Sequence, residues 1–525
     1  MTNPIDTPVL IAGAGPTGLT LAIMLRLYGI PVRIIDRSLQ PSTVSKALGV
    51  WSASLEALDA MGIITPFETD GVRLKSLIVG DGTRQLATLA VGDGIDSPYP
   101  FPLLLAQSRT EDILNARLAE LGATVERGVE LLSFSQDAGG VTAQLTHADG
   151  REEAAAAPYL VGCDGARSAV RHGLDIDFEG YTEPQVYLLG DVKIDGGALD
   201  RRSLYVWWGE NGTVALFPFE PDIWRVVVAR PDDTDYSEPT LAELQGHMDR
   251  NGPPGTRLRD PTWLSAFRIN ERLAKSYGTG RVFIAGDAAH IHSPAGGQGM
   301  NTGIQDAFNL GWKLAHVLQG RGDADLLLAS YEPERRPIAH DVVKNAAQKL
   351  HVGYATSRIT RLIRDVAVTV LGNLPAAQKK LQVELSETTI TYHDGPLVAL
   401  GAPPRHPSRT EVGTRAREAH FSDPQTGART ALWPLLGGTH HTLLLFPDAG
   451  QAIDTHLLEG LEDAVTVVAI PPASDPQGEV RKAYEISKPG WVLVRPDQVI
   501  AARGLASNLA PLATYLDRVV RPRAS

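Results

Sequence analysis

The chain has 525 residues, which is too long for one ordinary core and predicts two or three domains. Its 49 basic and 61 acidic side chains give a formal charge of -12, which argues against a nucleic-acid-binding protein and against binding to anionic membranes. The single cysteine, Cys163, excludes intramolecular disulfides, and the N-terminal residues fit neither a signal peptide nor a membrane span, so we expect a cytoplasmic protein.

The first residues predict a complete β-α-β unit. An apolar run at 9–12 indicates a buried parallel strand, an apolar helix follows, and a second strand ends at Asp36. Glycines between strand and helix permit a pyrophosphate to approach the helix N-terminus, and they are Gly13, Gly15 and Gly18. Asp36 suits the ribose of NAD or of FAD, whereas Arg37 suits a 2′-phosphate, so this motif leaves the cofactor open.

Two further strands lead into polar, glycine-containing turns. The strand at 159–162 is followed by Asp164, and the strand at 282–285 is followed by Gly286 and Asp287. Since Cys163 is the only cysteine, any redox chemistry must use a bound cofactor.

The stretch "GDAAHIHSPAGGQGMN", residues 286–301, combines histidines with many glycines. His290 and His292 provide two possible metal ligands without a convincing third, so we expect no metal site and interpret His290 as a satisfied loop residue. From Gly299 or Met300 onward, apolar spacing predicts a long helix.

The middle of the chain, between about 178 and 275, has the strand-like pattern of an antiparallel sheet. Three aromatic residues in it are weak candidates for substrate contacts, with core packing an equal alternative: Trp207, Phe217 and Phe219. Arg225 is either a partner for a phenolate or a surface charge. After a predicted linker at 401–407, short strands separated by helical segments indicate an α/β domain.

The three ordered motifs resemble those of the class A flavoprotein monooxygenases, the aromatic hydroxylases of the p-hydroxybenzoate hydroxylase type. Within that family, the chain resembles the larger hydroxylases of phenols and aromatic polyketides. The resemblance implies an α/β fold with a Rossmann-like FAD-binding domain at 1–75, 101–177 and 275–395. It also implies a mixed-sheet substrate domain at 76–100 and 178–274, and a thioredoxin-like domain at 400–525 that has no redox cysteine.

The resemblance also assigns roles to individual residues. Asp287 and Gln107 are expected near the ribityl chain of FAD, Asp164 beside the FAD, and Pro294 in the wall of the oxygenation pocket. Lys46 stands where many relatives carry an arginine near the flavin. The start of the long helix, with Gly299, Met300 and Asn301, should face the flavin ring, and Gly286 of the GD motif should also contact the cofactor.

Two groups of residues near these motifs receive weaker interpretations. Arg167 and Arg171 are either contacts for the phosphates of the nicotinamide or surface arginines. The signature at 331–337 is expected to lock helices together and not to be catalytic.

The implied activity is that of a secondary-metabolism enzyme. FAD reduced by NADPH, or by NADH, takes up O2 as a C4a-hydroperoxide and hydroxylates a phenolic or polycyclic aromatic substrate. Epoxidation and Baeyer-Villiger insertion are alternatives with the same flavin chemistry, and a non-catalytic FAD-fold binding protein is a third hypothesis. A homodimer is a further expectation.

Overall fold

The computed structural model describes residues 7–82, 84–92, 94–209, 212–230, 234–294, 296–352, 374–401, 410–423 and 426–522. The predicted linker at 401–407 lies outside the described residues from position 402 onward. Among the described residues, no helix combines the length and the apolar character that a membrane crossing needs.

A six-stranded sheet forms the core of the N-terminal half. Its strands, in spatial order, are Gly278–Thr279, Val282–Ile284, Tyr159–Gly162, Val9–Ala12, Val32–Asp36 and Val125–Arg127. All neighbours run parallel except the pair at the Gly278–Thr279 edge. Val9–Ala12 and Tyr159–Gly162 are buried throughout, as strands covered on both faces must be. With its helix at Pro16–Leu27, the predicted β-α-β unit is confirmed.

Helices and two small sheets surround this core. The main helices are Pro16–Leu27, Gln107–Glu120 and Gly299–Leu318; the last of these, here called the long helix, begins where the sequence predicts. The other helices are Ser52–Ala60, Ile64–Asp70, Ala169–Gly173, Ala324–Ala329, Tyr331–Val352, Pro375–Leu385 and Pro396–Leu400, with a single 3-10 turn at Gly286–Ala288. The small sheets comprise Gly49–Val50, Leu103–Leu104 and Val72–Arg73, and Val129–Gln136, Val141–His147 and Glu152–Ala157.

The structure contains a second large sheet, with eight strands. In spatial order its strands are His290–Ile291, Thr256–Ala274, Phe178–Gly196, Ile223–Ala229, Gly212–Phe219, Ser203–Gly209, Ser76–Asp81 and Arg84–Ala90. Neighbours within 178–274 pair antiparallel, as predicted, and one parallel pair joins Ser203–Gly209 to Ser76–Asp81. The helix Leu241–Asn251 covers one face of this sheet through Leu244 and Met248.

The C-terminal part contains a four-stranded sheet with the order Val465–Ala469, His441–Phe446, Gly490–Val494 and Ile500–Leu505. The remaining elements are the strands His420–Ser422 and Arg429–Ala431, 3-10 turns at Trp433–Leu435 and His456–Leu458, helices at Glu479–Ala483 and Ala510–Tyr515, and a π-helical turn at Leu516–Val520. The predicted strands of this region are therefore present. Trp312 of the long helix packs into the core beneath this sheet, which ties the C-terminal part to the N-terminal half.

Candidate functional site

Three neighbouring strands of the six-stranded sheet end at one edge. Ala12, Gly162 and Ile284 stand side by side in the parallel register. The turn that follows each strand therefore projects from the same edge of the sheet, where open α/β sheets bind ligands. We call them the glycine turn (13–18), the DG turn (163–168) and the GD turn (286–289).

The glycine turn requires glycine for two different reasons. A Cβ on Gly13, which has φ +100°, would lie 2.3 Å from the Cys163 carbonyl oxygen, and a Cβ on Gly18 would lie 2.0 Å from the Gly13 oxygen. Both glycines thus let strand and helix backbones pack closely. By contrast, a Cβ on Gly15 would meet no protein atom within 4 Å. The N-terminus of the helix that begins at Pro16 therefore opens onto space that a phosphate group fits.

The GD turn packs against the same helix. Gly286 has φ +61°, and a Cβ there would lie 2.4 Å from Thr17 Oγ1. A Cβ on Gly303 of the long helix would lie equally close to Thr17 Oγ1. The glycine turn, the GD turn and the start of the long helix therefore meet around Thr17.

Asp287 lies in an open cleft at this meeting point. Its side chain is exposed to solvent, yet the surrounding protein crowds it and raises the pKa of the carboxyl, while His290 and Lys46 act to lower it. Lys46 is itself exposed. The sequence-predicted Lys46 and Asp287 are thus brought close together, at the place where the resemblance puts the flavin.

Asp36 stands at the end of its strand beside the glycine turn. Its Oδ2 accepts a hydrogen bond from Ala14 N at 2.9 Å, and Arg127 Nη1 lies 3.7 Å from its Oδ1. Arg127 was not found from the sequence, because only the pairing of distant strands brings it beside Asp36. Arg37 points away, mostly exposed, with its Nη1 4.0 Å from Glu130 Oε1.

The DG turn is held by its own aspartate. Asp164 Oδ2 accepts hydrogen bonds from Ala169 N at 2.7 Å and Val170 N at 3.2 Å, which caps the short helix after the turn. Its buried Oδ1 has no hydrogen-bond partner among the described residues, so it is available to a ligand. Arg171 is buried and donates to the Ala288 oxygen at 3.0 Å, so it links the DG and GD turns and is not a surface arginine. Arg167 is exposed.

Gln107 begins its helix and bridges two segments. Its Oε1 accepts from Ala47 N at 3.0 Å, and its Nε2 donates to Glu111 Oε1 at 2.8 Å. These bonds place the glutamine next to the segment that carries Lys46.

The first turn of the long helix contains Gly299, Met300 and Asn301. The Asn301 side chain is fully buried, donates to the Gly49 oxygen at 2.9 Å and accepts from Trp51 N at 2.8 Å. Because protein groups occupy the Asn301 amide, any contact of this residue with a cofactor goes through its backbone. Pro294 is exposed in the loop before the helix, and its oxygen accepts from Gly297 N at 2.9 Å.

The strand register decides between the two interpretations of Trp207. Trp207 pairs with Val214, which puts its ring on the face covered by the helix Leu241–Asn251, and its Nε1 donates to the Gly82 oxygen at 2.8 Å. Trp207 is therefore core and does not line the opposite face, where Phe217 and Phe219 point. The two phenylalanines border a small apolar cluster, in which Phe219 is buried and Phe217 half-buried.

Arg225 is neither a free phenolate partner nor a surface charge. It is buried, pairs with both carboxylate oxygens of Asp191 at 2.8 Å and donates to the Lys46 oxygen at 3.0 Å. Arg225, for which the sequence left a phenolate partner and a surface charge as alternatives, thus anchors the Lys46 segment to the eight-stranded sheet.

Glu387 is a buried acid beside the first turns of the long helix, where it accepts a hydrogen bond from Gln305. Burial raises its pKa to about 7, although Arg335 and Gln305 act to lower it. Because the folded-state pKa lies above the ordinary value of 4.5, its contribution to stability is full below pH 4.5 and is lost as pH rises through about 7.

We expect Glu387→Gln, which stays neutral, to remove this loss. Wild type and variant should melt at similar temperatures at about pH 5, while at about pH 8 the variant should be more stable by up to roughly 3 kcal/mol. Thermal melts at both pH values measure the difference, with exposed Glu120→Gln as the control. If the melting temperatures of wild type and Glu387→Gln changed equally with pH, the raised pKa of Glu387 would be contradicted.

The residues at the three turns fit a dinucleotide. The open space at Gly15, the unpartnered Asp164 Oδ1 and the exposed Asp287 belong to the three turns at this edge of the sheet. The described residues hold no group of three or more His, Cys, Asp and Glu side chains that could bind a metal.

Comparison with known proteins agrees with this geometry. A family described as FAD binding domain matches residues 6–346. The 6-methylpretetramide 4-monooxygenase of Streptomyces rimosus is 36% identical over 97% of this chain and 92% of its own length.

Two solved structures share the fold over nearly the whole chain. The OxyS anhydrotetracycline hydroxylase from Streptomyces rimosus has 30% identity and a TM-score of 0.77, with 98% of this chain and 99% of that one covered. Aklavinone-11 hydroxylase, solved with FAD and aklavinone, has 26% identity and a TM-score of 0.80, with 99% and 100% covered.

Proposed function

The chain belongs to the FAD binding domain family and is a flavin-dependent monooxygenase, and we propose that it hydroxylates a polycyclic phenol of the aromatic polyketide type with NAD(P)H and O2. The observation that carries the proposal is the convergence of the glycine, DG and GD turns at one open sheet edge. Because the chain is a flavin-dependent monooxygenase, the hypothesis of a non-catalytic FAD-fold binding protein no longer applies.

The chain's own residues bind and orient the cofactor. Bound FAD supplies the electron transfer and the oxygen transfer. The helix that begins at Pro16 presents free backbone amides to the pyrophosphate, and Asp36 accepts hydroxyls of the adenosine ribose. Asp287 and Lys46 would lie beside the flavin, and the start of the long helix would direct its amides toward negative charge on the ring.

The open face of the eight-stranded sheet supports an aromatic substrate. One cross-strand row runs over four neighbouring strands, in the order Phe217, Arg225, Asp191 and Trp263. The Arg225 guanidinium lies 5.3 Å from the Trp263 ring centre, and both Phe217 and Trp263 are half-buried. A flat polycyclic ring can pack on such a surface. The relatives are named for 6-methylpretetramide, anhydrotetracycline and aklavinone, and we infer a substrate of that kind.

The test is NAD(P)H oxidation by the FAD-bound protein in air. We expect slow basal oxidation, faster oxidation with a tetracyclic phenol than with p-hydroxybenzoate, and a product that carries one added hydroxyl. A product with a ring-expanded lactone or an epoxide would favour the alternative oxygen insertions. No stimulation by any phenol, with FAD bound, would contradict the proposal.

Phe217→Ala should raise the KM for the aromatic substrate about tenfold, because it removes an apolar ring surface worth roughly 1.5 kcal/mol or more. The matched control is Trp207→Phe on the opposite, helix-covered face, which should lower the melting temperature and leave KM unchanged. Steady-state kinetics on both variants measure the difference. An equal rise in KM for both variants would contradict the placement of the substrate.

The remaining features stay proposals. We propose an FAD-binding unit at 1–75, 101–177 and 275–395, a substrate unit at 76–100 and 178–274, and a thioredoxin-like unit at 400–525. Cytoplasmic location, a homodimer and a preference for NADPH are predictions of the same standing.

A further inference from the structure

One buried carboxylate lies directly beneath the GD turn. Asp306, on the second turn of the long helix, is fully buried. Its Oδ2 accepts hydrogen bonds from His290 Nε2 at 2.7 Å and from Gly286 N at 3.2 Å. Its Oδ1 accepts from Arg335 Nε at 2.8 Å. One side chain therefore binds Gly286, at the start of the GD turn, and His290, directly after the turn.

The carboxylate is ionised in this setting. Burial alone would raise the pKa of Asp306, but the charges of His290 and Arg335 and their hydrogen bonds outweigh burial and lower it. An ionised acceptor makes stronger bonds to N–H donors than a neutral one. The Gly286 amide thus has a fixed and strong acceptor.

The backbone of the turn has little freedom to compensate for a lost bond. Gly286 has φ +61° and lies against Thr17, so the turn cannot move toward the first helix. The His290 ring is buried and stacked on Tyr277, with 6.3 Å between ring centres. A shift at Gly286 or His290 would therefore be passed to Asp287, which lies between them in the chain.

We propose that Asp306 is a positioning residue, which fixes the GD turn through Gly286 and His290 and so sets the place of the Asp287 carboxylate against the FAD. Its effect on the reaction is indirect, since it touches neither the cofactor cleft nor the substrate face. The inference depends on FAD binding at the three turns and not on the identity of the substrate.

The test is Asp306→Asn, studied with FAD alone so that the outcome is independent of the proposed hydroxylation. An amide oxygen can replace only one of the two carboxylate oxygens, and the amide NH2 then meets the donors of the other, so we expect the dissociation constant for FAD to rise roughly 10- to 100-fold. We also expect a changed visible circular dichroism spectrum of the bound flavin. Fluorescence titration of the apoprotein with FAD measures the first, and the saturated protein gives the second.

The matched control is Asp497→Asn, which removes another buried aspartate that pairs with an arginine, Arg495, at 2.8 Å. It should lower the melting temperature of the apoprotein without changing FAD affinity or the flavin spectrum. Should Asp306→Asn fail to fold, His290→Phe keeps the ring stacked on Tyr277, removes one of the bonds and should give a smaller loss in the same direction.

Two results would overturn the proposal. One is normal FAD affinity and a normal flavin spectrum in a folded Asp306→Asn or His290→Phe protein. The other is an equal loss of FAD affinity in Asp497→Asn, which would make the effect one of general stability.

Discussion

Replacing Glu334 with glutamine should destabilise the protein by about 3–5 kcal/mol, the usual cost of removing one partner from a buried ion pair. The Glu334 carboxylate is fully buried and accepts hydrogen bonds from Arg495 at 2.8 Å through each oxygen and from Lys313 Nζ at 2.7 Å. Burial would raise its pKa, but the charges of Arg495 and Lys313 hold it at about 2, so the group is ionised at neutral pH. Glu334→Gln leaves the buried Lys313 without its paired carboxylate and leaves Arg495 with Asp497 as its remaining counter-ion.

The position of this pair explains why its loss should be global. Lys313 belongs to the long helix, Glu334 to the helix Tyr331–Val352, and Arg495 directly follows a strand of the C-terminal sheet. The signature at 331–337 thus locks helices together, as the sequence led us to expect, and joins the C-terminal part as well.

Denaturant-induced unfolding of apoprotein measures this effect. The control is Asp195→Asn, which breaks a pair with Arg259 at the same 2.8 Å but with both side chains about half exposed. Exposed pairs contribute about 0–1 kcal/mol, so this variant should unfold near the wild-type midpoint. If the unfolding midpoint shifted equally in the two variants, burial of the Glu334 pair would not determine how much the pair contributes to stability.

The second large effect concerns the space in front of the first helix. Gly15→Ala should leave the apoprotein as stable as wild type, because Gly15 has φ −76° and ψ −176°, which alanine adopts freely, and its Cβ would meet no atom. The same methyl group would occupy the space in which we propose that the pyrophosphate binds. We expect FAD affinity to fall by about 10- to 100-fold, the equivalent of 1–3 kcal/mol of overpacking.

Two companion variants separate cofactor exclusion from misfolding. Gly18→Ala puts a methyl group 2.0 Å from a backbone oxygen and should impair folding itself. Gly246→Ala, within the distant helix Leu241–Asn251, should leave FAD affinity unchanged. Calorimetric titration measures the FAD affinity of all three variants, and thermal melts measure their stability. Normal FAD binding by Gly15→Ala would contradict the proposed position of the pyrophosphate.

Local patterns in the sequence were sufficient for the fold of the cofactor-binding half. The strand at 9–12, the glycine turn, the helix after it and Asp36 are contiguous, so hydrophobic periodicity and turn chemistry predict them together. The start of the long helix at Gly299 was predicted for the same reason. The interpretation of Pro294, Gln107 and Lys46 came from family resemblance instead.

The contacts that hold the site depend on residues far apart in the chain. Arg225 pairs with Asp191, and Arg495 with Glu334, which are 34 and 161 residues away, respectively. The spacing of apolar residues along the sequence does not predict such a pair. The sequence left Trp207 open between substrate contact and core packing for a related reason. Strand residues alternate between two faces, and the face that is covered is decided by a helix that begins 34 residues later.

The origin of the oxygen atom in the product tests the account most directly. The FAD-bound protein should be incubated with NADPH, a tetracyclic phenol and heavy-isotope dioxygen, and the product analysed by mass spectrometry. We predict one heavy oxygen atom in a new aromatic hydroxyl group, with none taken from water. NADPH consumption with an unlabelled product, or with hydrogen peroxide as the sole oxygen product for every phenol tested, would contradict hydroxylation of a polycyclic phenol by this protein.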